Sequence, residues 1–255
     1  MKAADHGKKQ NKVRLWAVLV WLLIWQYASM ALGEEILLVS PVRVLLRLKE
    51  MIVTADFWQA AGFSVSRIAG GFLLAVAAAC LMAALSARYD WIRDLLAPAV
   101  LAVRSIPVAS FIILALIWFS SENLSVLISF LMVFPVMYAN VLDGIRSCDP
   151  RLLEVAAVFS MSPYRRIRYI YMPQVFPFFM AGAAVSSGLC WKAGVAAEVI
   201  GMPTGSIGEK LQQAKVYLDT PDLFAWTLVI VLISVAFERG FLYFCVRLKR
   251  RVETV

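Results

Sequence analysis

Histidine is almost missing: His6 is the only one in 255 residues, and it stands in a polar N-terminal tail. That excludes histidine acid–base chemistry at membrane depth and any multi-histidine metal site. Charge is scarce as well, 16% of residues against 62% hydrophobic, with a mean hydropathy of +0.77. Such a chain cannot clothe a soluble core, and its composition is that of a polytopic, all-α membrane protein. The four cysteines, Cys80, Cys148, Cys190 and Cys245, stand singly, three of them inside apolar runs. They form neither a disulfide framework nor a zinc pattern and are read as small packing residues. No G-x-x-x-x-G-K-[ST] occurs, so there is no phosphate-cradling loop. The net charge of +8 comes from basic residues set beside apolar runs without forming one patch. That pattern marks topology signals and not a nucleic-acid surface.

What is present is a series of long apolar runs. Residues 1–14 form a basic tail, and 15–32 are too long for the core of a signal peptide and long enough to span. Further spans are expected at 66–87, 98–119, 124–142, 173–197 and 223–246, six in all, with residues 251–255 as a second tail. Residues 34–60 carry Arg43, Arg47 and Lys49 and are expected to lie outside with a short amphipathic helix. Gly70, Gly71 and the run AVAAAC let the second span approach its neighbours closely. The brief turn SSEN makes spans three and four antiparallel neighbours. With this layout about sixteen Lys and Arg fall inside and six outside or at the outer boundary, which places both termini in the cytoplasm.

Three basic residues remain within spans, and an ionisable group at membrane depth is a functional hypothesis by default. Arg239 follows Glu238 near the inner end of span six, where snorkelling or a local pair accounts for it. Arg104 lies beside Ile106-Pro107, where a proline should kink the helix; gate lining and snorkelling both fit. Lys192 lies late in span five beside Trp191 and before Glu198. Facing water it would attract an anion; facing Glu198 or headgroups it would be structural.

One polar island interrupts this oil, DPRLLEVAAVFSMSPYRRIRYIYMP from Asp149 to Pro173. Asp149-Pro150 and Ser162-Pro163 each pair a capping acceptor with a proline suited to the first helical position, which predicts two short helices joined by a turn. Leu152, Leu153, Ala156, Ala157 and Phe159 give the first an apolar side, and Ile167, Ile170 and Tyr171 give the second one among Arg165, Arg166 and Arg168.

The island resembles the cytoplasmic loop of permease subunits of bacterial ATP-binding-cassette importers, in which Glu-Ala-Ala is followed after three residues by Gly, and after nine more by Ile, one residue and Leu-Pro. Here that spacing falls on Glu154-Val155-Ala156, Ser160, Ile170 and Met172-Pro173. Ser160 for Gly removes the residue best able to adopt positive φ at the turn. Arg104-Ser105-Ile106-Pro107, Trp118-Phe119, Trp191, Val195-Ala196-Ala197-Glu198 and Gly205-Ser206-Ile207-Gly208 are similar to segments of the permeases that import nitrate, sulfonates, taurine and some vitamin precursors.

The resemblance implies a homodimeric pore in a prokaryotic cytoplasmic membrane, two cytoplasmic ATPase subunits and an extracytoplasmic substrate-binding protein. It implies no cofactor or metal on this chain, ATP and Mg²⁺ being held by the ATPase. Residues 149–172 would be the coupling element, with Leu152, Leu153, Glu154, Ala156, Ala157, Phe159, Ser160, Met161, Pro163 and Arg165 in contact with the ATPase. Arg104, Pro107, Trp191, Lys192 and Glu198 would line or gate the path of a small anionic solute. Three other readings were weighed. An ion-coupled secondary transporter needs intramembrane acids, which the first five spans almost lack. An intramembrane enzyme needs a catalytic constellation, and none occurs. An ATPase-binding scaffold of a vitamin transporter without its own pore stays open.

Overall fold

A computed structural model describes residues 15–253 apart from residue 35, so the basic tail at 1–14 lies outside the described residues. Among them the chain is helical throughout. It opens with α1 (Leu15–Leu32), an apolar helix exposed on nearly every side. Next comes α2 (Pro41–Ile52), the expected amphipathic helix, capped by the Ser40 hydroxyl, which accepts the Arg43 amide at 3.3 Å. Its Val44, Leu48 and Met51 are buried. Arg47 donates to Asp222 at 3.1 Å and to Glu50 at 2.9 Å, so this charge is paired across two elements. Asp222 first and Glu50 second hold the Arg47 guanidinium above its usual range.

The body of the molecule is three long helices, α3 (Ala55–Arg88), α6 (Ser121–Arg146) and α9 (Met172–Gly201). Ile68, Phe72, Ala75, Ala79 and Ala83 of α3 meet Val133, Met137 and Val141 of α6 and Ala183, Cys190 and Trp191 of α9 in one core. Lipid offers helices no hydrophobic drive to associate, so contact depends on how closely the backbones fit. A Cβ on Gly71 would stand 2.5 Å from the Val126 carbonyl oxygen, and one on Gly194 would stand 2.7 Å from both Ile68 and the Ser129 hydroxyl. Tyr138 adds a hydroxyl bond to Ser86 at 3.0 Å between α6 and α3. The last helix, α11 (Thr220–Glu253), lays Phe237 and Phe241 edge-on against Phe72. The helix continues through the expected 251–255 tail as far as Glu253.

The kink expected at Pro107 within the 98–119 span is a full break: α4 (Asp90–Ser105) and α5 (Val108–Ala115) are separate helices bent by 104° about Ile106 and Pro107. Pro107 has no amide to donate, and the residue before a proline is pushed out of the helical region; Ile106 accordingly has ψ 133°. Conversely, Pro173 does not separate the loop from the fifth span. The segment α8 (Pro163–Arg166), a π-helical turn (Ile167–Tyr171) and α9 run on as one 39-residue helix. Met172 donates to the Ile167 carbonyl, five residues back. This widened turn just before a residue with no N–H lets the proline pass without breaking the rod.

By length and composition four helices can cross a membrane, and the bent pair makes a fifth. The remaining expected span, α1, is an apolar helix from Trp16 to Leu32, at the lower limit of length for a span. Gly71→Ala should lower the melting temperature of the detergent-solubilised protein, by the equivalent of about 1–3 kcal/mol. Gly70→Ala, whose new Cβ meets nothing within 4 Å, should leave it unchanged or higher.

Candidate functional site

The polar island folds back against the base of α9. Asp149 caps α7 (Pro150–Val158) by accepting the Arg151 amide at 2.9 Å. The Asp149 amide in turn donates to Gln174 Oε1 at 2.9 Å, and Gln174 Nε2 donates to the Ile170 carbonyl at 3.1 Å. Gln174 therefore fastens the start of α7 to the long helix. No spacing rule points to it, because its partner lies in another element. The second expected cap is not made by a side chain: Ser162 accepts the Arg166 amide through its backbone carbonyl at 3.0 Å.

At the other end of α7, Ser160 adopts the left-handed conformation, φ 47°, that a glycine would take without cost. The Met161 amide reaches the Ala156 carbonyl at 2.8 Å and the Ser160 amide reaches the Ala157 carbonyl at 3.0 Å. These two bonds complete a Schellman terminator and satisfy orphan carbonyls. The substitution of Gly by Ser thus leaves the turn geometry in place.

The island divides into an inward and an outward side. Ala156 is 1% exposed and Ile170 is buried, so Ala156, expected on the docking surface, instead packs inward: it is the small residue that lets α7 lie close. Leu153 and Met161 are half-buried. Leu152, Glu154, Ala157, Ser160, Pro163 and Arg165 are exposed, together with Phe159 at 77%. Val155, Val158 at 81%, Tyr164 and Ile167 are exposed too, and the sequence reading had not included them as contacts. The result is an apolar strip several residues long, rimmed by arginines, on a helix whose start is fastened to α9 and whose end is closed by its own turn.

The residues expected along a path separate into two groups. Trp191 is 1% exposed and packs edge-on against Phe237 at 5.8 Å. Glu198 is fully buried; its Oε2 accepts the Ser64 hydroxyl at 2.6 Å and the Gly208 amide at 3.3 Å, while the Ile207 amide donates to Ser64 Oγ at 2.9 Å. Both are corrected from path to core. Glu198 ties α3 and α9 to the start of α10 (Ile207–Val216). A Cβ on Gly208 would stand 2.3 Å from that of Glu198, so only glycine admits this approach. Arg104, Pro107 and Lys192 do lie on the surface of the chain. Arg104 donates to the Pro135 carbonyl at 2.7 Å, pinning the end of α4 halfway along α6. Lys192 and Glu198 lie on different sides of α9, which rules out the pair between them.

At the end of the bundle away from the island, α2, α10 and the start of α11 enclose a cleft of about 450 Å³ lined by Arg47, Asp56, Lys210, Asp222 and Trp226. Lys210 and Asp56 close it with an ion pair at 2.8 Å.

Ser160→Gly should keep or raise hydrogen-exchange protection in α7. Ser160→Val should lower it by the equivalent of about 1–2 kcal/mol, since a branched side chain opposes the left-handed conformation.

Comparison with known proteins places this geometry. The model of the binding-protein-dependent transport system inner membrane component matches residues 36–252. The putative aliphatic sulfonates transport permease of Bacillus subtilis is 28% identical over 218 residues, covering 84% of this chain and 78% of its own. The taurine transport system permease of Escherichia coli is 26% identical over 227 residues, covering 87% and 81%. The nitrate import permease of Synechococcus elongatus is 26% identical over 200 residues, covering 74% and 71%. A crystal structure of an amino acid ABC transporter with histidines shares the fold, with a TM-score of 0.51, 16% identity and coverage of 94% and 99%. The chain belongs to the family of binding-protein-dependent transport system inner membrane components, the membrane-spanning permeases of ATP-binding-cassette importers.

Proposed function

We propose that this chain, working as a pair of copies, forms the translocation path of an ATP-driven importer for a small oxyanion of the sulfonate, taurine or nitrate kind. Two ATPase subunits bind on the side of the island, and a solute-binding protein delivers from the other. The relatives named above support the substrate class, and the excess of Lys and Arg at the island end supports a cytoplasmic placement of that end. In this orientation both termini are cytoplasmic, residues 15–250 make one transmembrane domain, and the cleft of α2, α10 and α11 faces outward. The path carries no cofactor of its own; ATP and Mg²⁺ reside on the ATPase.

One observation carries the mechanism: α7 presents an exposed apolar strip while its start is bonded through Gln174 to the base of a 39-residue helix and its end is closed by a local turn that leads straight into that helix. An ATPase groove that seats Leu152, Val155, Val158 and Phe159 would bury them as an interface core, with Glu154 and Arg165 at its rim setting orientation. When the ATPase pair closes on ATP, the strip moves, and the rod that contains α8 and α9 moves with it. Rigid levers of this kind turn small shifts at one end into a change of access at the other. Alternating access of the two-copy pore then follows from rotation of the helix bundles about their shared contact.

The test is ATP hydrolysis by the chain reconstituted in vesicles with its ATPase and loaded binding protein. The double variant Val158→Asp, Phe159→Asp should insert and melt as the unmodified chain does, because both side chains are exposed. Stimulation of hydrolysis by the loaded binding protein should fall about tenfold or more, the size expected when charges enter an apolar contact. Undiminished stimulation would remove the strip from the coupling role.

A further inference from the structure

Lys192 is a basic residue at membrane depth to which the described residues offer no partner. It lies nine residues, about 14 Å, before the end of α9 at Gly201, beyond the reach of a four-carbon stem to that end. Side chains on a helix lean toward its N-terminus. On α9, which runs from the island end outward, Lys192 therefore leans toward the middle of the membrane and away from the nearer headgroups. Arg67 makes the contrast: α3 runs the other way, so its side chain leans outward and donates to the Glu122 carbonyl at 2.8 Å.

The contacts between α6 and α9 fix the depth independently. Gly194 lies beside Ser129, Gly182 beside Asn140 and Gly201 beside Leu124. This antiparallel register sets Lys192 close to the level of Leu131, in the apolar half of α6 and well below its polar start at Ser121-Glu122-Asn123. Around the helix, Lys192 shares its face with Val185, Leu189 and Ile200, all exposed on the single chain. The neighbouring face, with Ala193 and Ala197, is covered by Ile112 and Ala115 of α5. Nothing among the described residues bonds or pairs with Lys192. An ammonium on a lipid-facing stripe at this depth, with no partner and no path to snorkel, is disfavoured by several kcal/mol.

We propose that the Val185–Leu189–Lys192–Ile200 face of α9 lines the water-filled passage between two copies of this chain, and that Lys192 is the residue that binds the anionic group of the passing solute. The inference rests on the importer reading above and deepens it by naming the specificity-determining residue. Two such ammonium groups face each other across the pair and repel until an oxyanion enters between them; its oxygens then accept charge-assisted hydrogen bonds from both. The apolar residues of the stripe above and below offer no competing acceptor, so the solute is held loosely enough to leave.

Two arms test this in the reconstituted complex. In the first, Lys192→Cys is treated in vesicles with a water-soluble, charged methanethiosulfonate. Rapid labelling, with Leu73→Cys on the outer face of α3 as the unlabelled lipid-facing control, is the expected result; no labelling overturns the wet passage. In the second, uptake of taurine, ethanesulfonate and nitrate is measured for Lys192→Met and Lys192→Arg. Lys192→Met should lose about tenfold or more of the uptake of at least one of the three, and Lys192→Arg should retain most of it. Unchanged uptake in Lys192→Met overturns the anion assignment. Failure of the unmodified complex to take up any of the three overturns the oxyanion-importer reading itself, while the labelling arm still reports whether the face is wet.

Discussion

The close approach of three helix backbones inside lipid is the constraint on which the rest depends. Gly71, Gly194 and Ser129, which both of them meet, let α3, α6 and α9 pack at a distance that side chains of ordinary size forbid. In water such packing would add to a larger hydrophobic drive; in hydrocarbon it is the drive. Because the three helices are fixed against one another, Glu198 can hold the start of α10 at one end and Gln174 can hold α7 at the other. Each of these bonds joins elements far apart in the chain, Glu198 to Ser64 across 134 residues and Asp149 to Gln174 across 25.

Rigidity along α9 then connects the two ends. The π-helical turn at Ile167–Tyr171 allows Pro173 to stand inside a continuous rod, so the second half of the polar island and the fifth span are parts of one helix. The break at Ile106–Pro107 works in the opposite sense. By bending the chain through 104° it separates α5, packed against Ala193 and Ala197, from α4, which is pinned by Arg104 to α6. Pro173 is absorbed where the turn before it widens, whereas at Pro107 the chain divides into two helices.

Much of this was legible in advance. Hydropathy alone marked where the long helices lie but not their ends, α3 beginning at Ala55 where a span from 66 was expected, and Asp149-Pro150 marked the start of α7 because capping is a local, side-chain-to-backbone interaction. Glu154, Ser160 and Pro173 carried the resemblance to the permease loop, although their spacing could not say that Ser160 would accept φ 47°. What failed were inferences about direction. Whether Ala156, Trp191 or Glu198 points inward depends on which neighbour covers each face, and that is decided by tertiary packing. Ser64 and Gln174 carried no signal, since a lone serine or glutamine in an apolar run becomes important only through its distant partner.

The central claim is that this chain moves a solute only when ATP is hydrolysed by a partner seated on the α7 strip. The most direct measurement is accumulation of radiolabelled taurine, ethanesulfonate or nitrate in vesicles holding the chain, its ATPase and loaded binding protein, with ATP confined to the side of the island. The account predicts accumulation of at least one of them against its gradient that needs all three proteins and ATP and is indifferent to proton or sodium ionophores. Accumulation that proceeds without the ATPase and collapses with an ionophore would contradict it.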